Sequence, residues 1–240
     1  MFSMEPHLTW DNLEKEAYQE TLQEHDDEVA LADELLTHLV EGVKLLQGSR
    51  TTGAAQELTL LVVLSAIRSL KCAFELAFRG YYVEALSLIR NAYEYWLAGA
   101  YASCLPNEAP KLKRKNARWP EPSCMRRVVS ASIAQSRQES EHFRHGLTKM
   151  YGYLSKFTHP SFLCLGAVIE RDDRQRMGPF FDRNRLLISL DKAYRTVILL
   201  SFLLAHAFPE LERSEWSARN DEVAQKVNAW RKEAVPETGA

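Results

Sequence analysis

The chain has 240 residues, of which 46% are hydrophobic and 26% are charged, and its formal net charge at pH 7 is −2. This length allows a substantial core without disulfides or structural metals. The net charge is so close to zero that it does not by itself indicate a strongly acidic or strongly basic partner. The cysteines are widely spaced, and the longest apolar runs fall short of the ~20 residues that a membrane span needs. We therefore expect a cytoplasmic protein with free thiols, no cofactor and no membrane contact.

Residues 1–50 are predicted to form an acidic helical segment that packs on the core. Residues 1–35 contain eleven acidic residues and a single basic one, Lys15. Thr9 can cap a helix that begins at Trp10, and we expect a break in the helix near residues 25–27. The second half of this segment places its apolar residues on one stripe, which gives it a face for packing.

Two long apolar helices are predicted next, over residues 54–79 and 80–103. The second has so few polar positions that we expect it to be the central helix of the fold. It nevertheless contains Arg90 and Glu94, which lie four residues apart and therefore share one face with apolar neighbours. Charges in such a setting are rarely tolerated without a partner. The pair is either a structural ion pair or the floor of a site.

The rest of the chain is predicted to be helical, with two irregular regions. Residues 105–123 contain four prolines and a basic run at 111–118, which indicates an exposed loop or a patch that contacts RNA phosphates. Helices are expected over residues 124–138, capped by Ser123, and over residues 139–157. A long irregular loop or a small hairpin is expected near 161–182, followed by helices over 183–208 and 214–232.

These patterns together predict an all-α fold, a bundle of six to eight helices. We expect residues 51–208 to form the main bundle. Residues 209–240 are expected to add a C-terminal amphipathic helix and a tail.

The first candidate site lies between the two apolar helices. Antiparallel packing across Gly80 would bring Glu75 near the start of the second helix and Arg68 near its C-terminal half. Arg68, Glu75, Arg90 and Glu94 are therefore candidate ligand-binding residues. Such a network either fixes the register of the helices or forms a pocket for a small polar or anionic ligand.

The second candidate is the pair of Ser155 and His159, which we expect on one face at the end of a helix. The helix dipole favours the protonated form of a histidine at this position, so general acid or base chemistry is reasonable for His159. The alternative is a histidine that caps the helix by bonding local carbonyls. No Gly-x-Ser-x-Gly motif accompanies Ser155, so the two are only candidate catalytic residues.

A third set lies in the helix over residues 139–157. Glu139 and His142 have the spacing of a carboxylate–histidine metal pair. Helical di-metal sites need two such motifs and two further carboxylates, and the sequence has no second Glu-x-x-His. A solvated helix face is therefore favoured, and we expect no metal.

Two segments stand out, Gly80-x3-Glu84-Ala85-x4-Arg90-x3-Glu94 and Leu154-Ser155-x3-His159-Pro160-Ser161. Both resemble motifs of a family of bacterial all-helical proteins catalogued as a domain of unknown function. These proteins are distantly similar to HEPN-like helical bundles, some of which are metal-independent ribonucleases. The resemblance covers roughly residues 55–205 and implies that Arg90, Glu94, Ser155 and His159 belong to one site.

The HEPN resemblance also bears on His142. The HEPN catalytic motif is an arginine, four to six residues, and then a histidine, and Arg137 and His142 have this spacing. Because arginine and histidine recur through the chain, one or two such matches are expected by chance, roughly.

We expect from these observations a helical protein whose buried polar pocket binds a small polar or anionic ligand. A HEPN-like ribonuclease or toxin-like effector is the first alternative, in which residues 111–118 would hold the RNA backbone. A structural or interaction protein without a ligand is the second alternative. A homodimer is compatible with each of them.

Overall fold

The computed structural model describes residues 9–47, 51, 53–158, 178–212 and 214–235, and within them it contains ten helices and no strand. The predicted all-α fold is confirmed. Eight helices have at least 12 residues and two are single turns of 4 residues. The helices are α1 Trp10–Glu24, α2 Asp26–Leu45, α3 Ala54–Phe78, α4 Tyr82–Cys104, α5 Ala109–Leu112, α6 Pro122–Ile133, α7 Arg137–Ser155, α8 Arg183–Ala207, α9 Pro209–Glu212 and α10 Glu215–Ala234.

Three long helices, α3, α4 and α8, form the centre of the bundle. The connection from α3 to α4 turns at Gly80, whose φ of +86° is unfavourable for residues with a Cβ atom. A Cβ at this position would also lie 2.6 Å from the carbonyl oxygen of Phe180, so glycine is needed for space as well. Helix α4 contacts α3, α6, α7 and α8, which confirms its predicted central place.

The N- and C-terminal helices add to the same hydrophobic core. Leu35 and Leu39 of α2 are fully buried, and Trp216 of α10 packs beside them in one cluster with the central helices. The expected break between the first two helices falls at His25. None of the described helices is both long and apolar enough to cross a bilayer.

The boundary between α6 and α7 differs from the prediction. Helix α6 begins at Pro122 with Glu121 as its N-cap, so the predicted cap at Ser123 is wrong. Proline is favourable in the first turn because its missing N–H would have no helical partner there. Helix α6 ends at Ile133, and the Ser136 hydroxyl then caps α7 by accepting a bond from the Glu139 N–H, 3.2 Å away.

The irregular region predicted near 161–182 is described only at its end. Residues 178–182 are non-helical, and Asp182 caps α8 by accepting a hydrogen bond from the Arg185 N–H at 3.0 Å. Residues 159–177 lie outside the described residues, and with them most of the predicted loop or hairpin.

Candidate functional site

Helix α4 meets the C-terminal end of α7 through the side chain of Arg90. The Arg90 Nε donates to Glu94 Oε1 over 2.9 Å, within α4. Its Nη2 donates to the Tyr151 hydroxyl over 3.1 Å, and its Nη1 donates to the Thr158 hydroxyl. The Arg90 side chain is 15% exposed and that of Glu94 is 37% exposed. All three guanidinium nitrogens therefore have acceptors, and the predicted pairing of Arg90 with Glu94 is confirmed.

The same junction contains Ser155, but its hydroxyl is already bonded. Ser155 Oγ donates to the Tyr151 carbonyl one turn earlier, at 2.7 Å, and its own carbonyl accepts a bond from Thr158 at 3.1 Å. The Ser87 hydroxyl of α4 donates to the Phe157 carbonyl at 3.2 Å. The chain just after α7 is therefore bonded to α4 through Ser87 as well as through Arg90. His159, the second candidate catalytic residue, lies outside the described residues.

Arg126 of α6 is the second arginine in contact with Tyr151. Its guanidinium lies over the Tyr151 ring at 4.5 Å from the centroid, against 5.2 Å for Arg90. Arg126 is only 7% exposed, and its Nε and Nη1 atoms are buried without a hydrogen-bond partner among the described residues. A cation–π contact offsets part of the desolvation of a guanidinium but does not satisfy its N–H groups. We call Arg90, Glu94, Arg126 and Tyr151 the Tyr151 cluster.

A buried tyrosine lies directly behind this cluster. The Tyr93 ring of α4 is 6.3 Å from the Tyr151 ring, and its hydroxyl donates to the Leu147 carbonyl over 3.1 Å. Burial raises the pKa of Tyr93 well above its usual range, and the fields of Arg126 and Arg195 act against that rise. Tyr93 is therefore a neutral hydrogen-bond donor, and its surroundings carry an excess of positive charge.

The structure does not bring Arg68 and Glu75 to Arg90 and Glu94. Both residues are exposed on α3. Glu75 instead forms an exposed ion pair with Lys71, with 3.9 Å between Lys71 Nζ and Glu75 Oε1. The predicted network across the two helices is wrong because these polar positions face away from α4. The buried side of α3 is mainly apolar, and the hydroxyls of Thr59 and Ser103 share a hydrogen bond of 3.1 Å between α3 and α4. The buried apolar residues of α3 include Val63, Ala66, Leu70, Ala73, Phe74 and Ala77.

The two motifs predicted at the start of α7 have separate structural roles. Glu139 completes a capping box, because its carboxylate accepts a hydrogen bond from the Gln135 N–H at 2.9 Å. Arg137 has a side chain that is 93% exposed and pairs with Glu141 at 3.2 Å. His142 lines a surface cavity to which Arg137 does not contribute. No group of three or more potential metal-binding side chains occurs within the described part of the chain.

The basic run at 111–118 is partly neutralised. Lys111 forms an ion pair with Glu108 at 2.8 Å, and Lys113 forms one with Glu57 of α3. Both contacts involve exposed lysines of this loop, and the second one ties the loop to α3. They also reduce the positive charge available to an RNA backbone.

No family model, curated protein or solved structure matches this chain. The resemblance to HEPN-like bundles and the ribonuclease alternative therefore stay predictions. The geometry also adds two residues that the sequence analysis missed, Arg126 and Tyr151. Tyr151 lies one turn before Ser155, so the four-residue spacing that pointed to Ser155 and His159 could also have pointed to Tyr151. Arg126 belongs to no motif in the sequence.

Proposed function

We propose that this protein binds a small oxyanion, such as a phosphate or a carboxylate, at the Tyr151 cluster. The observation that supports it is the buried guanidinium of Arg126, whose Nε and Nη1 have no hydrogen-bond partner within the described residues. Leaving a buried charged group unpaired is unfavourable by several kcal/mol, roughly, so such groups usually have a counterion. An oxyanion would supply both the acceptors and the charge.

The neighbouring charges favour an anion over a neutral ligand. Glu94, the acidic member of the cluster, is bonded to Arg90, so the positive charge of Arg126 is left without an ion pair among the described residues. A planar guanidinium presents parallel N–H donors that match the geometry of a carboxylate or phosphate. The Tyr151 ring on which Arg126 stacks would hold that donor plane in a fixed orientation.

Ligand-dependent unfolding of matched arginine variants tests the proposal. Arg126→Met removes the buried cation, and Arg127→Met removes an exposed cation one residue away. Inorganic phosphate, succinate and AMP are added separately at constant ionic strength, and thermal unfolding and calorimetric binding are measured. We expect one of them to stabilise the wild type and Arg127→Met, by about 1.4 kcal/mol at roughly tenfold excess over Kd, and to leave Arg126→Met unchanged.

The same variants separate binding from folding. Without an oxyanion, Arg126→Met should be at least as stable as the wild type, because an apolar side chain replaces an unpaired buried charge. The proposal is wrong if none of the three compounds stabilises the wild type, or if one stabilises Arg126→Met equally.

We also propose a cytoplasmic location and a homodimer. The cysteines in the described residues, Cys72, Cys104 and Cys124, are free thiols, as is usual in a reducing compartment. Several large apolar side chains are exposed, Leu61 and Ile133 most of all at 58% each, which leaves apolar surface for a second copy. Light scattering after size exclusion should give twice the monomer mass, and a monomer at micromolar concentration would contradict the dimer.

A further inference from the structure

A second cavity lies along α7 next to the Tyr151 cluster, because Leu147, one turn before Tyr151, is part of its lining. Helices α7, α8 and α10 enclose a surface cavity of about 300 Å³ between them. Its walls are mainly apolar and include Phe143, Leu147, Ile198 and Val227. We call this cavity the α7–α8–α10 groove. Its size is at the lower end of the range for small-molecule sites, which are mostly apolar with few polar groups.

Three polar side chains line the groove, and each comes from a different helix. His142 belongs to α7, Arg195 to α8 and Asn228 to α10. Arg195 is half-buried, and no acidic residue contributes to the lining. The guanidinium of Arg195 forms no ion pair or hydrogen bond with any residue that the structure describes. The groove therefore combines apolar walls with a single cation that lacks a counterion.

This combination fits one class of ligand. An apolar tail would remove the apolar walls of the groove from water, which favours binding. A carboxylate would accept charge-assisted hydrogen bonds from Arg195, and the imidazole of His142 and the amide of Asn228 can each donate a further hydrogen bond. We propose that the groove binds a small amphipathic carboxylate, with its head group at Arg195 and its tail on the apolar walls.

The glycines of α7 provide a test that does not depend on removing a charge. Gly146 lines the groove, and a Cβ at this position would meet no atom within 4 Å. Gly152 lies on the same helix, also has open space at its Cβ, and does not line the groove. Gly146→Leu should therefore fill the groove, and Gly152→Leu should leave it open. Leucine is also the better helix former, so both variants should fold.

Octanoate serves as the probe, and binding is measured by calorimetry. We expect octanoate to bind the wild type and Gly152→Leu with equal Kd and to show no binding to Gly146→Leu. Thermal unfolding without octanoate checks that all three proteins are folded. Equal octanoate binding to both leucine variants would overturn the proposal, because the ligand would then occupy another surface.

The head-group contact is tested by a second pair of variants. Arg195→Gln removes the cation in the groove, and Arg183→Gln removes an exposed arginine at the start of the same helix. We expect Arg195→Gln to raise the Kd for octanoate roughly tenfold or more, as the loss of a charge-assisted hydrogen bond predicts, and Arg183→Gln to leave it unchanged. For 1-octanol, which has no charge, the wild type and Arg195→Gln should have the same Kd.

The outcomes also separate this site from the Tyr151 cluster. Arg126→Met should retain octanoate binding, and Gly146→Leu should retain phosphate binding, because the two sites use different residues. Octanoate binding that is lost in Arg126→Met but kept in Arg195→Gln would overturn the groove proposal. Binding of single-stranded RNA through His142, without any response to octanoate, would overturn it in favour of the ribonuclease alternative.

Discussion

The two arginines that contact Tyr151 are chemically identical but differ in their surroundings. Arg90 has an acceptor for each guanidinium nitrogen, from Glu94, Tyr151 and Thr158. Arg126 is more buried, and two of its nitrogens have no acceptor among the described residues. A guanidinium that has an ion-pair partner and an acceptor at each nitrogen is accounted for as a structural contact, whereas a buried one that lacks an ion pair is the better candidate for a ligand. Arg126, rather than Arg90, is therefore the candidate ligand-binding arginine of the Tyr151 cluster.

The largest effect is expected from removing the ring that both arginines share. Tyr151→Ala deletes the cation–π contacts of both guanidiniums and the acceptor for Arg90 Nη2, so we expect the free energy of unfolding to fall by about 3 kcal/mol. Tyr151→Phe keeps the ring and removes only the hydroxyl, and should lose about 1 kcal/mol. Urea denaturation measures both. Equal losses would show that the ring itself contributes nothing to the cluster.

A smaller effect is expected from Arg90, if its role is structural. Arg90→Met leaves Glu94, Tyr151 and Thr158 without their donor, and should lower the free energy of unfolding by about 2 kcal/mol. The double replacement of Arg90→Met with Glu94→Leu removes both charges and should recover most of that loss. Urea denaturation of the single and double variants gives the coupling between the two positions. A double variant that is less stable than Arg90→Met would contradict a purely structural pair.

Arg90 and Arg126 also show what could be predicted from the sequence. The pairing of Arg90 with Glu94 follows from a spacing of four residues within one helix, so no tertiary information is needed. Arg126 is buried because α6 begins at Pro122 and turns that position towards α4 and α7. The sequence pattern of a short polar helix does not determine which neighbour covers it, so neither its burial nor its contact with Tyr151 was predictable.

The groove was beyond prediction for a related reason. Its polar residues, His142, Arg195 and Asn228, come from three helices that are far apart in the sequence. Their convergence depends on how α10 returns to pack on α8, which no local spacing encodes. The helices themselves were predictable, because apolar periodicity and the glycine and proline positions act within a few residues. Local patterns therefore predict the helices, whereas the residues of the groove and of the Tyr151 cluster come together only through packing between helices.

A third buried polar residue, His38, differs from the two arginines because its side chain can change its charge near neutral pH. His38 is fully buried between α2 and α10, stacks on Trp216 at 4.7 Å and contacts Asn220 Oδ1 through Nε2 at 2.5 Å. Its Nδ1 atom has no partner among the described residues, so protonation would bury an unsatisfied N–H. Burial lowers the pKa of His38 below 6.5, and this outweighs the opposing effects of Asn220, Glu41 and Glu34.

This shift has a defined effect on stability. Well above pH 6.5, the ordinary value, His38 is neutral in both the folded and the unfolded chain. As the pH falls below that value, the unfolded chain takes up a proton that the folded chain does not, so the free energy of unfolding decreases. His38→Gln should show a shallower decrease between about pH 7 and pH 5, the range in which an ordinary histidine titrates. Parallel urea midpoints for both proteins would contradict the assignment.

The smallest effect is expected on α3, where the sequence suggested a buried network and the structure has an exposed stripe. Arg68, Lys71 and Glu75 are spaced three and four residues apart, which places them on one face in solvent. Exposed ion pairs contribute little, so Arg68→Ala and Glu75→Ala should each change the free energy of unfolding by less than about 0.5 kcal/mol. Urea denaturation alongside Arg90→Met measures the contrast. A loss of unfolding free energy as large as that of Arg90→Met would show that Arg68 and Glu75 do contribute to a network in the core. The contrast between these exposed residues and the structural contact of Arg90 would then be wrong.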